Sequence, residues 1–222
     1  MAKYKIGLID DDKDELGDIR RTIKENKPNN VELSDIELME YSLGEGSNCL
    51  TYTINEIIED IINFKINSLI VDYNIIVKSK KIEGTEIYKK VMDVAPNFPM
   101  IILTNLVDAS VAYNFVDPDK VYNKKEFFVL ENEYSKKKVL NMFRNMERYI
   151  ENRNALEQKR IELKEKLEKD GTNQEIIDDI IKTESELDKL YPTDQTEIEK
   201  IFDKEGIREI LEILEKANKL ME

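Results

Sequence analysis

Short, mostly apolar runs that stop at polar residues alternate with amphipathic segments over the first 150 residues. The runs at 4–9, 68–73 and 99–105 read YKIGLI, SLIVDY and PMIILTN. Between them, apolar residues recur every three or four positions, as on one face of a helix. Alternating strands and helices predict an α/β domain in which helices cover both faces of a parallel sheet.

The strand pattern ends near residue 128, and the remaining sequence is predicted to be helical. Apolar residues recur at heptad-like spacing over 139–167 and again over 177–191, after the break KDGTN. We expect an unbroken helix over about 131–168 that folds back on a second helix as a hairpin or coiled coil, followed by a terminal helical pair. The predicted domains are therefore 1–130 and an all-α region at 131–222.

The long predicted helix has an apolar stripe that needs partners. A helix of this length cannot bury the whole stripe against the first domain, and the second helix is shorter. The sequence therefore predicts that the part at 142–149 stays uncovered. An uncovered apolar surface is typical of a dimer interface or of a docking site for an output partner.

Charge and composition narrow the possible functions. The chain carries 34 Lys or Arg against 47 Asp or Glu, a net charge of −13. Such a chain is repelled by nucleic-acid phosphates and by anionic membranes, so we expect it to bind neither.

No apolar run approaches the length of a membrane span or of a signal peptide, which predicts a cytoplasmic protein. The absence of histidine excludes a Ser-His-Asp triad, a His-ligated metal and a phosphohistidine carrier.

Residues that can carry chemistry follow four of the predicted strands. In chain order they are Asp10 and Asp11, Asp72, Thr104, and the pair Lys124 and Lys125. In parallel α/β sheets, ligands bind at the carboxyl ends of the strands. Three converging carboxylates repel one another unless a hard divalent cation, above all Mg²⁺, lies between them. We expect Asp10, Asp11 and Asp72 to be its ligands, together with the backbone carbonyl of Asn74.

The motifs LIDDD, LIVDYN, IILTN and YNKKEF, in this order, resemble the receiver domain of two-component response regulators. The resemblance covers about residues 3–130. It implies a flavodoxin-like, doubly wound fold with five parallel strands, in which Asp72 accepts a phosphoryl group with the help of Mg²⁺. The family's ending, an aromatic residue, two further residues and Lys-Pro-Phe, aligns with residues 122–127. This alignment selects Lys125 rather than Lys124 as the lysine that pairs with the phosphoryl group.

The same resemblance implies a switch and a set of partners. Thr104 would donate a hydrogen bond to the phosphoryl group, and Tyr122 would rotate in response. The phosphodonor would be a histidine kinase or another phosphorelay protein. The chain would then be a signalling protein rather than an enzyme, with at most autophosphorylation and autodephosphorylation. Its helical region would bind a protein output partner or form a homodimer.

Departures from the family pattern leave other functions open. Segments 42–53 and 75–83 look like insertions, and Asn105 and Glu126 replace a small residue and a proline. These departures favour, as an alternative, a pseudo-receiver that acts as an interaction scaffold without being phosphorylated.

Two other interpretations start from the run of aspartates. In a haloacid-dehalogenase-like phosphatase, Asp10 would be the nucleophile and Asp12 the general acid, but Asp72 would have no role. The three aspartates can also simply cap the first helix, where acidic residues are favoured by the helix dipole.

Overall fold

The computed structural model describes residues 2–44, 48–77, 80–170 and 174–192, without the side chains of Lys80 and Asp170. The strands, numbered in chain order, are β1 (Tyr4–Ile9), β2 (Ile36–Glu40), β3 (Ser68–Asp72), β4 (Asn74–Val77), β5 (Lys80–Glu83), β6 (Met100–Thr104) and β7 (Val121–Asn123). The helices are α1 (Lys13–Asn26), α2 (Cys49–Ile62), α3 (Gly84–Val94), α4 (Val107–Val111), α5 (Lys124–Phe127), α6 (Glu133–Asp170) and α7 (Gln174–Asp188).

Five of the strands form one parallel sheet in the order β2-β1-β3-β6-β7. Every residue of β3 and of β6 is buried. Because successive side chains of a strand point to opposite faces, both faces of the sheet must be covered. Helix α1 packs against α6, and α2 packs against α3. The predicted α/β domain with a five-stranded parallel sheet, followed by helices, is confirmed.

The predicted insertion at 75–83 lies mostly in a separate antiparallel hairpin of β4 and β5. Ile75 and Ile82 lie opposite each other in its register and are both buried, so the hairpin is anchored to the core. The end of segment 42–53 belongs to α2, which begins at Cys49. Nowhere in the described ranges is a helix long and apolar enough to cross a membrane.

The first half of α6 is part of the core of the sheet domain. Met142, Met146 and Tyr149 are at most 4% exposed and belong to the same buried cluster as the strands. The ring of Phe143 packs edge-on against Tyr4 of β1, with 4.9 Å between centroids. The prediction that 142–149 stays uncovered is therefore wrong. The prediction fails because the first half of α6 packs beside α1 against the sheet domain.

The second half of α6 pairs with α7, which confirms the predicted helical hairpin. Leu163 of α6 and Ile180 of α7 are both buried. After α7 the chain returns to the sheet domain, where the Tyr149 hydroxyl donates a hydrogen bond to the carbonyl of Leu190. The domain boundary at 130 stays a prediction, and the predicted terminal helical pair lies outside the described residues.

Helix α6 starts directly against α5. The hydroxyl of Ser135 lies 2.8 Å from the carbonyl oxygen of Glu126 and 2.7 Å from that of Phe127. The hydroxyl of Tyr134 accepts a hydrogen bond from the backbone amide of Asn123 at 2.8 Å. These contacts join the end of β7, the short helix α5 and the beginning of α6 into one unit.

Candidate functional site

Three aspartates meet at the carboxyl edge of the sheet. Asp10 follows β1 and Asp72 ends β3, and these two strands are neighbours. Carboxylate oxygens of Asp10, Asp11 and Asp72 lie within 4.8 Å of one another. Asp10 and Asp72 are buried, whereas Asp11 is exposed. The structure thus brings together the three carboxylates that the sequence predicted as metal ligands.

Backbone hydrogen bonds fix the two buried carboxylates. Oδ1 of Asp10 accepts from the amide of Asp12 at 2.9 Å, and Oδ2 of Asp72 accepts from the amide of Asn74 at 3.0 Å. Each carboxylate therefore presents its other oxygen to the interior of the site. This arrangement follows from the sharp turn that the chain makes at the end of each strand.

Close packing of α3 holds the backbone of Asp72 in place. A Cβ atom on Gly84 would lie 2.0 Å from the carbonyl oxygen of Asp72. The amide of Gly84 also donates a hydrogen bond to the carbonyl of Tyr73 at 2.8 Å. Any side chain at position 84 would push α3 away from the strand end, so only glycine fits.

Lys124 is the cation of the site. Its Nζ donates to Oδ2 of Asp10 at 3.0 Å and to Oδ1 of Asp72 at 2.8 Å, and it also binds Glu15. The side chain of Lys124 is only 4% exposed, whereas Lys125 is exposed. The cluster therefore contains Lys124 where the sequence alignment selected Lys125.

The position of Lys124 in the cluster, where Lys125 was predicted, has a local cause. The side chain of Asn123 accepts from the amide of Glu126 and caps α5, so a helix begins directly after β7. The first lysine of that helix points into the site. The second is rotated by about 100° around the helix axis and points to solvent.

Glu15 is a member of the cluster that the sequence interpretation missed. It lies in the first turn of α1, five residues after Asp10, and its carboxylate shares the ammonium group of Lys124. A signal for it does exist in the sequence, because the first turn of a helix that follows a strand lies at the carboxyl edge of the sheet.

Burial dominates the electrostatics of the two buried aspartates. It raises the pKa of Asp10 to about 6, although a backbone hydrogen bond and Lys124 act in the opposite direction. It also raises the pKa of Asp72. Burial alone would lower the pKa of Lys124, but its hydrogen bonds to Asp72 and Glu15 raise it. Three carboxylates, those of Asp10, Asp72 and Glu15, bind a single ammonium group, and the carboxylate of Asp11 lies beside those of Asp10 and Asp72, an arrangement that favours a further cation.

The donor set fits a hard divalent cation. Mg²⁺ prefers carboxylate, carbonyl and water oxygens, and Asp10, Asp11 and Asp72 offer three carboxylates at one edge. The backbone carbonyl of Asn74 as a further ligand stays a prediction. The side-chain oxygen of Asn74 is buried and has no hydrogen-bond partner in the described part of the chain.

Thr104 and Tyr122 are both buried near this edge. The Thr104 hydroxyl oxygen accepts from the amide of Leu106 at 2.9 Å, which leaves its proton available for donation. The ring of Tyr122 lies beneath the ammonium group of Lys138, with 4.2 Å between Nζ and the ring centroid. The roles of Thr104 and Tyr122 in a switch stay predictions.

Asp12 has a different position from the other two aspartates of its run. Its Oδ1 accepts from the amide of Asp14 at 2.8 Å and from that of Glu15 at 3.4 Å, so it is the N-cap of α1. The capping interpretation therefore holds for Asp12, while Asp10 and Asp11 belong to the cluster. A cap with these two bonds does not favour Asp12 as the general acid of a phosphatase.

Comparisons of the chain with protein-family models, with curated proteins and with solved structures found no match. Any function proposed for the site must therefore follow from its residues, their geometry and their chemistry.

Proposed function

We propose that this chain is a phosphorylation-dependent signalling protein, similar to the receiver domains of response regulators, with Asp72 as the phosphoacceptor. The observation that carries the proposal is the cluster of Asp10, Asp11 and Asp72, whose two buried members share Lys124. The strand order adds support. With the β4–β5 hairpin set aside, the parallel strands run 2-1-3-4-5, which is the order of flavodoxin-like doubly wound folds.

In the proposed reaction, a carboxylate oxygen of Asp72 attacks the phosphorus atom of a phosphodonor. A bond from this oxygen to phosphorus forms as the bond to the donor's leaving group breaks. Asp10, Asp11 and Asp72 would hold Mg²⁺, which supplies positive charge for the phosphoryl oxygens. Lys124 exchanges its bond to Asp72 for one to the phosphoryl group, and Thr104 donates a hydrogen bond to it.

The test is the mass of the full chain after incubation with Mg²⁺ and acetyl phosphate. We expect the wild-type chain to gain one phosphoryl group and Asp72→Asn to gain none. Asp11→Asn is the matched control, since it removes a carboxylate of the same cluster but leaves the acceptor. It should still gain the group, at a higher Mg²⁺ concentration. Uptake by Asp72→Asn equal to that of the wild type would contradict the assignment.

A second candidate function is supported by Glu15. Its carboxylate, with those of Asp10 and Asp72, gives Lys124 three partners, so its ammonium group is fully paired without a phosphoryl group. This favours the pseudo-receiver, an interaction scaffold that is not phosphorylated. Beryllofluoride, which mimics a phosphoryl group, separates the two functions. A chain that neither binds it nor gains phosphate in the presence of Mg²⁺ would be the scaffold.

The proposed partners are a histidine kinase or another phosphodonor and a protein that receives the output. A homodimer also belongs to the proposal, but the apolar side chains predicted for its surface, from Met142 to Tyr149, are buried. Sedimentation of the full chain with and without beryllofluoride tests whether a dimer forms elsewhere on the molecule.

A further inference from the structure

A groove rich in cations lies along the first half of α6, outside the carboxylate cluster. It consists of two adjoining pockets of about 420 and 290 Å³ that share Asn145 and Arg148. Lys137, Asn141, Arg144 and Arg148 follow one another at helical spacing on one face of α6, so the sequence itself places them side by side.

The cations of this groove lack carboxylate partners in the described part of the chain, whereas about half of the other described cations have one. Elsewhere, Lys3 pairs with Glu147 and Arg20 with Glu40. By contrast, within residues 2–44, 48–77, 80–170 and 174–192 no ion pair involves any cation that lines the groove. These cations are Lys120, Lys137, Lys138, Arg144 and Arg148.

The lining of the first pocket concentrates positive charge in a chain whose net charge is −13. Asp119 is the one carboxylate in its lining, against four cations. Burial lowers the pKa of Lys138, and the neighbouring charge of Lys137 lowers it further, whereas Asp119 acts to raise it. A bound anion would relieve this crowding of like charges. Arginine and lysine together match the oxygens of a phosphate group, because arginine can donate two parallel hydrogen bonds.

The second pocket has a different chemistry. Its lining combines the amide side chains of Asn97 and Asn152 with the partly exposed ring of Pro99. A flat heterocyclic ring can lie on such an apolar surface while its polar edge bonds to amides, as adenine does with asparagine. The two pockets together therefore match a ligand with a strongly anionic part and a flat, polar part.

We propose that this groove binds a nucleoside polyphosphate, with its phosphates among the cations of the first pocket and its base in the second. The size of the groove is that of a small-ligand site. The acidity of the rest of the chain disfavours a long polyanion such as a nucleic acid, which would extend beyond the groove. The site is distinct from the carboxylate cluster and, although Tyr122 lines the first pocket, binding does not require phosphorylation of Asp72.

The test measures binding to the full chain by calorimetry in EDTA, which removes divalent cations from the carboxylate cluster. The probes are ATP, GTP, tripolyphosphate, an unphosphorylated nucleoside, a short single-stranded oligonucleotide and an acidic peptide. We expect saturable binding of at least one nucleotide, weaker at higher salt. Tripolyphosphate should bind about tenfold more weakly, because it lacks the contacts of the base.

Three variants locate the site. Arg148→Gln should weaken binding of both nucleotide and tripolyphosphate by about tenfold, because it removes a charged donor shared by both pockets. Asn152→Ala should weaken binding of the nucleotide only. Arg21→Gln, which changes an exposed helical arginine outside the groove, should bind like the wild type. Thermal unfolding of each variant checks that the fold is retained.

Several outcomes would overturn the proposal. One is the absence of saturable nucleotide binding at millimolar concentration. Another is equal affinity for tripolyphosphate and nucleotide with no effect of Asn152→Ala, which would make the groove a general anion patch. Tighter, Arg148-dependent binding of the oligonucleotide or of the acidic peptide would assign it to a macromolecule. Asp72→Asn should bind nucleotide normally, so the outcome is independent of the proposed phosphorylation.

Discussion

Lys124 is the cation that Asp10 and Asp72 share, and its loss would leave both carboxylates buried without a charged partner. We predict that Lys124→Ala lowers the free energy of unfolding by about 3 kcal/mol in metal-free buffer. Lys125→Ala, which shortens the exposed neighbour, should change it by less than about 0.5 kcal/mol. Urea unfolding of both variants measures the difference. Equal effects would mean that the cluster does not depend on Lys124.

Glu15 competes for the same ammonium group that a phosphoryl group would need. We predict that Glu15→Gln binds beryllofluoride in Mg²⁺ more tightly than the wild type, by about threefold to tenfold, because a neutral amide holds Lys124 less strongly. Glu25→Gln is the control, since Glu25 is an exposed glutamate on the same helix. Titration followed by amide chemical shifts gives both affinities. An unchanged affinity in Glu15→Gln would show that Glu15 does not compete.

Packing at the start of α3 gives a prediction for that helix. Gly84→Ala should lower the free energy of unfolding by about 2 kcal/mol, because its Cβ would meet the backbone of Asp72. Gly17→Ala is the matched control. Gly17 lies in the middle of α1, and a Cβ atom there would meet no other part of the protein within 4 Å. That change should stabilise the protein by about 0.5 kcal/mol through helix propensity. Equal unfolding midpoints in urea would contradict the close packing.

The hairpin of α6 and α7 contains a buried carboxylate, that of Glu184. Burial raises its pKa above the ordinary value of 4.5. Arg160 and Lys164 act to lower the pKa, and Glu157 and Asp188 act to raise it further. A raised pKa means that folding favours the protonated form. The neutral side chain therefore stabilises the fold at low pH, and this contribution is lost as the pH rises through the raised pKa.

A neutral replacement of Glu184 tests this pH dependence. We predict that Glu184→Gln is more stable than the wild type near pH 8 and equally stable near pH 4, because glutamine stays neutral at both. Glu186→Gln is the control, since its carboxylate is 46% exposed and paired with Lys189. Urea unfolding at the two pH values gives the comparison. A stability difference that does not change with pH would contradict a titration of Glu184.

Local patterns in the sequence were enough to predict the elements and the strand ends. Apolar runs define the strands, and a parallel sheet brings Asp10 and Asp72 to one edge whatever the packing details. The choice between Lys124 and Lys125 depends on a cap one residue earlier, which an alignment does not detect. Whether the carboxylate of Glu15 reaches Lys124 depends on the orientation of α1 at the carboxyl edge of the sheet. The cap is a local feature that Asn123 provides in the sequence, whereas the orientation of α1 is set by tertiary packing.

In the described part of the chain, the first half of α6 shares one core with the sheet. Residues 139–150 bury six apolar side chains in the cluster formed by the sheet: Val139, Met142, Phe143, Met146, Tyr149 and Ile150. Helical periodicity gave the length of α6 correctly, but it does not indicate which surface a helix covers. The prediction for 142–149 failed for that reason.

We predict that a chain ending at residue 130 does not fold cooperatively, because it leaves one face of the sheet without α6. A chain ending at residue 155 keeps the first half of α6 and should unfold cooperatively, at a lower denaturant concentration than the full chain. Near-ultraviolet circular dichroism in urea distinguishes the two. A cooperative transition in the shorter chain would show that the sheet domain is complete without α6.

The junction of α5 and α6 connects the carboxylate cluster to the long helix. Lys124 is the first residue of α5, and Ser135 holds the beginning of α6 against the carbonyls of that short helix. Because six apolar side chains of residues 139–150 are buried in the core of the sheet domain, α6 cannot swing as a whole about this junction. A rearrangement around the ammonium group of Lys124 would therefore act on the first turn of α6, the part of the long helix that contacts α5 directly.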